Sequence, residues 1–460
     1  MSDERRMPSS RLARLAQMGR LAGGIAGGMV SEGARQLAGG RRPKLDQLLL
    51  TPANARRLGD RLSEMRGAAM KLGQLLSMDS GTVLPPEVSD ALAHLREKAH
   101  YMPLGQVAEV LERSWGQGWE RDFERFVFTP LAAASIGQVH DARLRDGRRV
   151  AVKVQYPGVR RSIDSDIDNM ATLLRLIGAL PPDMDFKPLL EEAKRQLHEE
   201  ADYRLEASHI NRFAERLGDD PRFELPLPLP ERTTDDVLCM RFLEGRPIES
   251  LEALPADERN RLGTALMELS LREVFVWGLV QSDPNFANYR YAPSSGRLQL
   301  LDFGATRLYT EARLQAMRTL LNAAVDGNDD DLARAAVAVG YIADEDPPRC
   351  RQAFVNLLRT ASAPARMTAP FAFAGSDLPQ RMREALIQLR VQYRFGRIPP
   401  TDVLYLHRKI SGLYLLMTRL KAVLPVARAV REVLSEPGSS TAYAEEREPL
   451  PSPTVLGSKS

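Results

Sequence analysis

Two short polar stretches near the middle of the chain constrain its fold and chemistry more than any other feature. The first, "QSDPNFANYR", places Asp283 and Asn288 five residues apart, and the second, "LQLLDFGATR", is an apolar strand pattern that ends in Asp302-Phe303-Gly304. Either stretch alone would be weak evidence, because an Asp and an Asn at this spacing often occur by chance. Together, in this order and with 14 residues from Asn288 to Asp302, they indicate a single site.

The spacing is that of a kinase catalytic loop followed by its metal-binding Asp-Phe-Gly segment. Phosphoryl transfer requires a carboxylate that faces the acceptor and oxygen ligands that face Mg2+, which prefers hard oxygen donors. A short loop can direct Asp283 to one side and Asn288 to the other, and Asp302 then reaches the metal from the phosphate side. We therefore predict that Asp283 is catalytic and that Asn288 and Asp302 are ligands of Mg2+.

An alanine-rich loop and a lysine-bearing strand lie upstream of these stretches. The sequence "PLAAASIGQV" over 130–139 looks like a phosphate-binding loop whose glycines have been replaced, and "RDG" predicts a hairpin turn before the strand "RRVAVKVQY". Lys153, in the centre of that strand, matches the lysine that neutralises the α- and β-phosphates of ATP. Without the downstream stretches, a surface lysine on an exposed strand face would be the better interpretation. The residues predicted to contact ATP are Ala132, Ala133, Ala134, Ser135, Gly137, Gln138, Val139, Lys153 and, in the predicted hinge "CMRFLEGRPI", Met240.

Replacement of glycine by alanine should alter how this loop approaches a phosphate. Alanine lacks the positive-φ freedom of glycine and adds a methyl group, so we expect a stiffer loop that sits differently over the phosphates. Gly137 remains and can supply one unusual turn. An alternative interpretation is that the alanines favour a short helical turn whose N-terminal amides face the phosphate.

An acidic helix is expected to supply a carboxylate that pairs with Lys153. The stretch "KPLLEEAKRQLHEEADYRLEASHINRFAERL" over 187–217 has a helical pattern, and it offers Glu199, Glu200, Asp202 and Glu206. At about 100° per residue, Glu199, Asp202 and Glu206 share one face, whereas Glu200 points roughly opposite. Geometry alone leaves the partner of Lys153 open.

These motifs together resemble the AarF/UbiB family of atypical, protein-kinase-like proteins associated with ubiquinone biosynthesis, over about residues 55–310. The stretch "MKLGQLLS" carries the Lys-x-Gly-Gln signature at Lys71 and Gln74, and "EADYRLEA" carries the Glu-x-Asp signature at Glu200 and Asp202. The alanine-rich loop and the catalytic loop also match, although the usual His-Arg before the catalytic Asp is absent. The same resemblance makes Glu206 the helix glutamate that pairs with Lys153.

The resemblance implies an α+β, bilobal protein-kinase-like fold with a helical N-terminal extension and a mostly helical C-terminal lobe. It also implies that the segment around Lys71 and Gln74 folds over the site where a protein substrate would otherwise lie, in a regulatory role paired with Glu200 or Asp202. The expected cofactors are ATP and Mg2+, and the expected activity is that of an atypical kinase or ATPase. The sequence supports a substrate other than protein independently, because a helical pattern follows "DFGATRLYT" directly and no Ala-Pro-Glu motif occurs.

Two other functions stay open at this point. The first is a small-molecule phosphotransferase similar to aminoglycoside kinases, although those carry His-Gly where this chain has Gln281-Ser282. The second is a nucleotide-binding scaffold with little turnover, against which the intact Lys153, Asp283, Asn288 and Asp302 argue. The acceptor is not identified by sequence, and a membrane lipid or a quinone precursor are the partners we expect beside ATP.

Composition bounds the compartment and the domain organisation. A net charge of +3 over 460 residues gives no electrostatic footprint for nucleic acid, and two distant cysteines favour a reduced, cytoplasmic location. The segment "LAGGIAGGMV" is too short to span a membrane, and it is either a flexible lead-in or a peripheral contact with the inner membrane. The predicted segments are a Gly/Arg-rich lead-in over 1–45, a helical extension over 46–120, an N-lobe over 121–245, a C-lobe over 246–435 and a disordered tail over 436–460.

Overall fold

The computed structural model describes residues 67–68, 101–176, 187–397 and 399–438. The predicted lead-in, the signature residues Lys71 and Gln74, and the tail beyond residue 438 lie outside the described residues. The chain divides into two compact units. We call Met1–Ser250 with Asn285–Ala305 the sheet unit, and Leu251–Pro284 with Thr306–Ser460 the helical unit.

A five-stranded antiparallel sheet forms the centre of the sheet unit. Its strands are β1 (Phe123–Phe126), β2 (Ala132–Ala133), β3 (Gly137–Leu144), β4 (Arg149–Gln155) and β6 (Val237–Arg241), in the order β1-β3-β4-β6 with β2 paired to β3. The "RDG" turn between β3 and β4 forms as predicted, with Gly147 at a φ of 90°. Helix α1 (Leu104–Trp115) packs on this sheet through Val107, Val110 and Leu111, in one apolar core with the valines of β4.

Three helices follow β4, and the second and third lie within the helical pattern predicted over 187–217. They are α2 (Val159–Leu176), α3 (Lys187–Glu200) and α4 (Tyr203–Leu217). The single helix expected over 187–217 is wrong, because the Asp202 carboxylate accepts hydrogen bonds from the backbone N–H groups of Arg204 and Leu205 and caps a new helix. Glu200 and Glu206 therefore lie on different helices, and the calculated shared face does not apply across the break.

A second, smaller sheet in the sheet unit leads the chain into the Asp-Phe-Gly segment. Its strands are β5 (Phe223–Glu224), β7 (Arg246–Pro247), β9 (Tyr289–Ala292) and β10 (Arg297–Leu300), in the order β5-β10-β9-β7. Strands β9 and β10 form an antiparallel hairpin, with Leu300 opposite Tyr289. This hairpin places the end of β10, and hence the residues just before Asp302, next to the start of β9.

The helical unit is built almost entirely from helices. They are α5 (Ala256–Arg272), which continues into a π-helical turn over Glu273–Trp277, α6 (Glu311–Asp326), α7 (Asp329–Val339), α8 (Pro348–Ala361), α9 (Leu378–Ile387), α10 (Thr401–Arg419) and α11 (Val426–Ser435). Strands β8 (Leu279–Gln281) and β11 (Thr306–Leu308) pair on either side of the two motif stretches. The sequence missed a second pair, β12 (Phe371–Ala372) with β13 (Val423–Leu424), because two-residue strands carry no readable periodicity. In the part of the chain that the structure describes, no helix is both long and apolar enough to cross a bilayer.

Candidate active site

Lys153 and two of the predicted acidic residues meet in the sheet unit. The lysine lies in β4 and is buried, so the surface-lysine alternative is wrong. Its Nζ lies 2.8 and 2.9 Å from the two carboxylate oxygens of Glu206, which sits in the first turn of α4. The same Nζ lies 3.6 Å from Oδ2 of Asp302. One ammonium group is therefore shared by two carboxylates.

Burial and charge act in opposite directions on this pair. Burial alone would lower the pKa of Lys153, but the carboxylates of Asp302 and Glu206 raise that pKa well above its ordinary value. Burial raises the pKa of Glu206, and the neighbouring ammonium of Lys153 opposes that rise. Lys153 is thus a cation held in place, which is the form required to bind a phosphate.

The Asp-Phe-Gly segment is anchored on the same helix that carries Glu206. The ring of Phe303 is buried and packs 4.8 Å from the ring of Phe213, and Nδ1 of His209 lies 3.2 Å from the Phe303 carbonyl oxygen. Glu206, His209 and Phe213 recur at three and seven residues, so they lie on one face of α4. One helix face therefore positions both the lysine and the residue that precedes Gly304.

The two carboxylate oxygens of Asp302 face different groups. Its Oδ1 accepts a hydrogen bond of 3.0 Å from the backbone N–H of Gly304, and its Oδ2 faces Lys153. The side chain is 39% exposed, compared with 1% for Glu206. Of the two carboxylates around Lys153, Asp302 is thus the one that solvent, and hence an incoming ligand, can reach.

Asn288 lies beside the strand end that leads to Asp302. Its carbonyl oxygen accepts a hydrogen bond of 2.9 Å from the backbone N–H of Leu301. Among the residues that the structure describes, no group of three or more His, Cys, Asp or Glu side chains is arranged to hold a metal ion by itself. One carboxylate and one amide fit Mg2+ nevertheless, because this ion is commonly held by one or two protein oxygens together with phosphate oxygens.

The alanine-rich loop is a β-hairpin rather than a helical turn. Ala132 and Ala133 pair with Val139 and Gln138, and the Ala134 N–H donates to the Gly137 carbonyl oxygen at 2.8 Å. The alternative of a short helical turn is therefore wrong, since extended pairing uses the backbone groups that a helix would need.

Gly137 serves close packing and not an unusual turn. It is not among the glycines with a positive φ, so the unusual turn expected there is wrong. A Cβ atom at this position would overlap the carbonyl oxygen of Val154 and would lie 2.7 Å from the Tyr203 hydroxyl. Only a residue without a side chain fits between β4 and the start of α4.

The other predicted nucleotide and regulatory residues that the structure describes also belong to the sheet unit. Ser135, at its tip, donates a hydrogen bond of 3.1 Å from Oγ to Oε2 of Glu200. Asp202 lies 3.6 Å from Arg160 in addition to its capping role. Met240 is buried in β6 opposite Ala151.

Gln138 uses its side chain inside the sheet unit. Its Oε1 accepts a hydrogen bond of 2.8 Å from the Met102 N–H, and its Nε2 lies 3.0 Å from Nε2 of His140. Among the predicted nucleotide contacts, Gln138 is thus the one whose amide already has protein partners on both atoms.

Contact between the predicted regulatory residues and Lys71 lies outside the described residues, but one neighbour is described. A Cβ atom on Gly67 would lie 3.0 Å from Cγ2 of Ile136 and 3.4 Å from the Ser135 carbonyl oxygen. The extension therefore touches the hairpin tip four residues before Lys71.

Asp283 lies in the helical unit, and helix α10 holds it. Arg408 donates a hydrogen bond from Nη2 to Oδ1 of Asp283. Lys409, the next residue of α10, lies 3.0 Å from Glu273, and the Glu273 Oε2 accepts a hydrogen bond of 2.8 Å from the Gln281 N–H. Sequence reasoning missed Arg408, Lys409 and Glu273. The available signal was that Arg408 and Lys409 are two adjacent charged residues in the largely apolar pattern of α10.

Comparison with known proteins identifies the family to which this architecture belongs. Residues 94–336 match the ABC1 atypical kinase-like domain. The chain belongs to this family. The predicted resemblance and the predicted enzyme class are thereby confirmed, and the protein is a kinase-like enzyme of the atypical type.

Full-length relatives and a solved structure agree with this assignment. The chain is 35% identical to the mitochondrial atypical kinase COQ8 of Saccharomyces cerevisiae, over 93% of this chain and 86% of that protein. It is 34% identical to the mitochondrial atypical kinase COQ8B of Rattus norvegicus, over 99% of this chain and 85% of that protein. The structure of an Rv3197–erythromycin complex from Mycobacterium tuberculosis has a TM-score of 0.58 and 28% identity, and covers 83% of this chain and 97% of that one. The predicted kinase-like fold class is confirmed.

Proposed function

We propose that this protein is a Mg2+- and ATP-dependent atypical kinase or ATPase that acts on, or is regulated by, a lipid-like molecule of the ubiquinone pathway. The observation that carries the proposal is the buried ammonium of Lys153, held by Glu206 and facing the partly exposed Asp302. A carboxylate-oriented lysine beside the Asp of Asp-Phe-Gly is the arrangement that binds the phosphates of ATP in kinases. Bound Mg2+ would supply charge neutralisation on the phosphates.

Each site residue then has a separate task. Lys153 binds the α- and β-phosphates, and Glu206 fixes the direction of its side chain. Asp302 and Asn288 offer oxygen ligands to Mg2+. Asp283 faces the acceptor and accepts its proton.

A small acceptor fits the chain better than a protein acceptor. Helix α6 begins at Glu311, capped by Thr310, so only the eight residues 303–310 lie between Asp302 and the next helix. A protein kinase places a long activation segment at this point, and the segment helps to dock a peptide. Its replacement by a short connection favours a small molecule or water as the acceptor.

A peripheral membrane contact is supported by one exposed surface of the helical unit. Helix α9, the π-helical turn Gln388–Gln392 and the adjoining Arg394 expose three apolar side chains together with four arginines and one carboxylate: Leu386, Ile387, Val391, Arg381, Arg383, Arg390, Arg394 and Glu384. Mixed basic and apolar helix faces bind anionic lipid surfaces, because arginines contact the head groups while the apolar side chains enter the boundary layer. An anionic membrane would bring a lipid-like acceptor to the enzyme.

Two substitutions test the proposed chemistry. Asp302→Asn should abolish Mg2+-dependent ATP binding in calorimetric titrations, because the metal loses its anionic ligand. Asp283→Asn should retain that binding but slow ATP turnover by roughly 100-fold or more, since its task is toward the acceptor. Asp257→Asn, at an exposed position in the first turn of α5, is the matched control.

The same turnover assay should be run with phosphatidylcholine vesicles, with vesicles that also contain phosphatidylglycerol, and with a phenolic quinone-precursor mimic. Stimulation by the anionic vesicles or by the phenol supports the lipid-linked function. Unchanged ATP affinity in Asp302→Asn would reject the metal site, and unchanged turnover in Asp283→Asn would favour a nucleotide-binding scaffold.

A further inference from the structure

Helix α10 contacts the catalytic loop at two points and the π-helical turn before that loop at a third, although more than 100 residues of chain separate α10 from both. Arg408 binds the Asp283 carboxylate, Lys409 binds Glu273, and Gly412 packs against Pro284. All of these residues belong to the helical unit. None of the three helix positions belongs to a motif that the proposed function uses.

Arg408 supplies a cation that the local sequence lacks. In protein kinases an arginine directly precedes the catalytic Asp, whereas Gln281 and Ser282 precede Asp283 here. The Arg408 guanidinium binds one oxygen of Asp283, and both side chains are largely shielded from solvent. A planar guanidinium restricts a carboxylate to few orientations, so this contact sets the direction of the other Asp283 oxygen.

Lys409 and Gly412 fix the backbone on either side of Asp283. The side chains of Lys409 and Glu273 are only 3% and 2% exposed, and Oε2 of Glu273 also accepts a hydrogen bond from the backbone N–H of Gln281. At Gly412, a Cβ atom would overlap the ring of Pro284, so the loop touches the helix backbone itself. The residues before and after Asp283 are therefore held by the same helix that binds its side chain.

We infer that Arg408 is a positioning residue for the reaction, which orients the Asp283 carboxylate toward the acceptor while Lys409 and Gly412 hold the loop in register. This inference rests on the proposed role of Asp283. It predicts that Arg408 affects the turnover step and leaves nucleotide binding unchanged, because its partner is Asp283, the residue whose proposed task is toward the acceptor.

Steady-state ATP turnover of Arg408→Gln and Arg408→Lys tests the inference. Arg408→Gln should lower kcat roughly 10- to 100-fold and leave the KM for Mg-ATP within about twofold, since a misdirected group slows chemistry without weakening binding. Arg408→Lys should recover part of kcat, because lysine keeps the charge but not the planar fork. Arg419→Gln is the matched control: it lies on the same helix, is 50% exposed, and pairs with Glu252 away from the loop.

A double-mutant cycle separates positioning from general damage. If Arg408 acts through Asp283, the Asp283→Asn/Arg408→Gln double variant should turn over ATP at the rate of Asp283→Asn alone. Multiplied effects, or an unchanged kcat in Arg408→Gln beside a slow Asp283→Asn, would overturn the inference. If Arg408→Gln fails to show a cooperative thermal transition, the cycle is run with Arg408→Lys. A failure of the proposed function is distinct, because it would show in Asp283→Asn itself.

Discussion

The two carboxylates around Lys153 differ in burial and in how many of their oxygens contact the ammonium group. Glu206 is buried and contacts the ammonium through both oxygens, whereas Asp302 is partly exposed and contacts it through one. If Asp302 turned toward a metal ion, Lys153 would keep a full partner, and no buried charge would be left unpaired. This asymmetry supports the division of tasks in which Glu206 orients the lysine and Asp302 ligates Mg2+.

The tight packing around Gly137 should make this position intolerant of a side chain. Gly137→Ala should lower the free energy of unfolding by about 1–3 kcal/mol, because the added methyl group meets the backbone of Val154 and not a flexible side-chain end. Gly105→Ala is the control, since nothing lies within 4 Å of a Cβ there and alanine favours the helix by about 0.5–1 kcal/mol. Denaturant unfolding of both variants checks the prediction, and an equal or higher stability of Gly137→Ala would contradict the tight packing at β4.

Individual elements differ in how far their sequence reveals their role. The face of α4 could be predicted, because Glu206, His209 and Phe213 follow the 3.6-residue period that places side chains on one side of a helix. The break before α4 was also within reach, since an Asp that precedes a helical run is a capping signal. Helix α10 could not be predicted to hold the catalytic loop, because its contacts to Asp283 and Glu273 join distant parts of the chain and no local pattern records them.

The buried ion pair between α10 and the π-helical turn should contribute strongly to the stability of the helical unit. Lys409→Met should lower the free energy of unfolding by about 3–5 kcal/mol, because it leaves the Glu273 carboxylate buried without a cation. Burial already raises the pKa of Glu273, and Lys409, with a smaller contribution from the backbone N–H of Gln281, opposes this rise. Chemical denaturation at neutral pH measures the change.

The control for this pair lies on the same helix. Arg419→Gln removes an exposed ion pair with Glu252 and should cost only about 0–1 kcal/mol. The double variant Glu273→Gln/Lys409→Met should regain most of the stability that Lys409→Met loses, because no charge then remains buried. If Lys409→Met and Arg419→Gln lower the free energy of unfolding by the same amount, the burial of Lys409 does not increase the cost of removing its charge.

The residues of the catalytic-loop and Asp-Phe-Gly motifs are divided between the two units of the molecule. Asp283 belongs to the helical unit, and Asn288 and Asp302 belong to the sheet unit, with the chain passing from one to the other after Pro284. Each unit also encloses a histidine whose pKa is lowered by burial, His140 in the sheet unit and His407 in the helical unit. Both units should therefore lose stability in acid, independently of the proposed chemistry.

His407 allows that acid sensitivity to be measured. Burial lowers its pKa from 6.5 to about 4, so the folded state favours the neutral ring, which lies 2.6 Å from the Tyr341 hydroxyl. Between those values the unfolded chain binds more protons, so this contribution is complete above pH 6.5 and is lost as the pH falls toward 4. The loss amounts to about 3 kcal/mol, at 1.36 kcal/mol per pKa unit. The raised pKa of Glu206 makes stability change with pH in the opposite direction, so the comparison must be made between two proteins that both contain Glu206.

The variant His407→Gln keeps a polar partner for Tyr341 but cannot titrate. The difference in unfolding free energy between the parent and this variant should shrink by about 3 kcal/mol from pH 7 to pH 4. A difference that does not change with pH would mean that the pKa of His407 is the same in the folded and the unfolded protein.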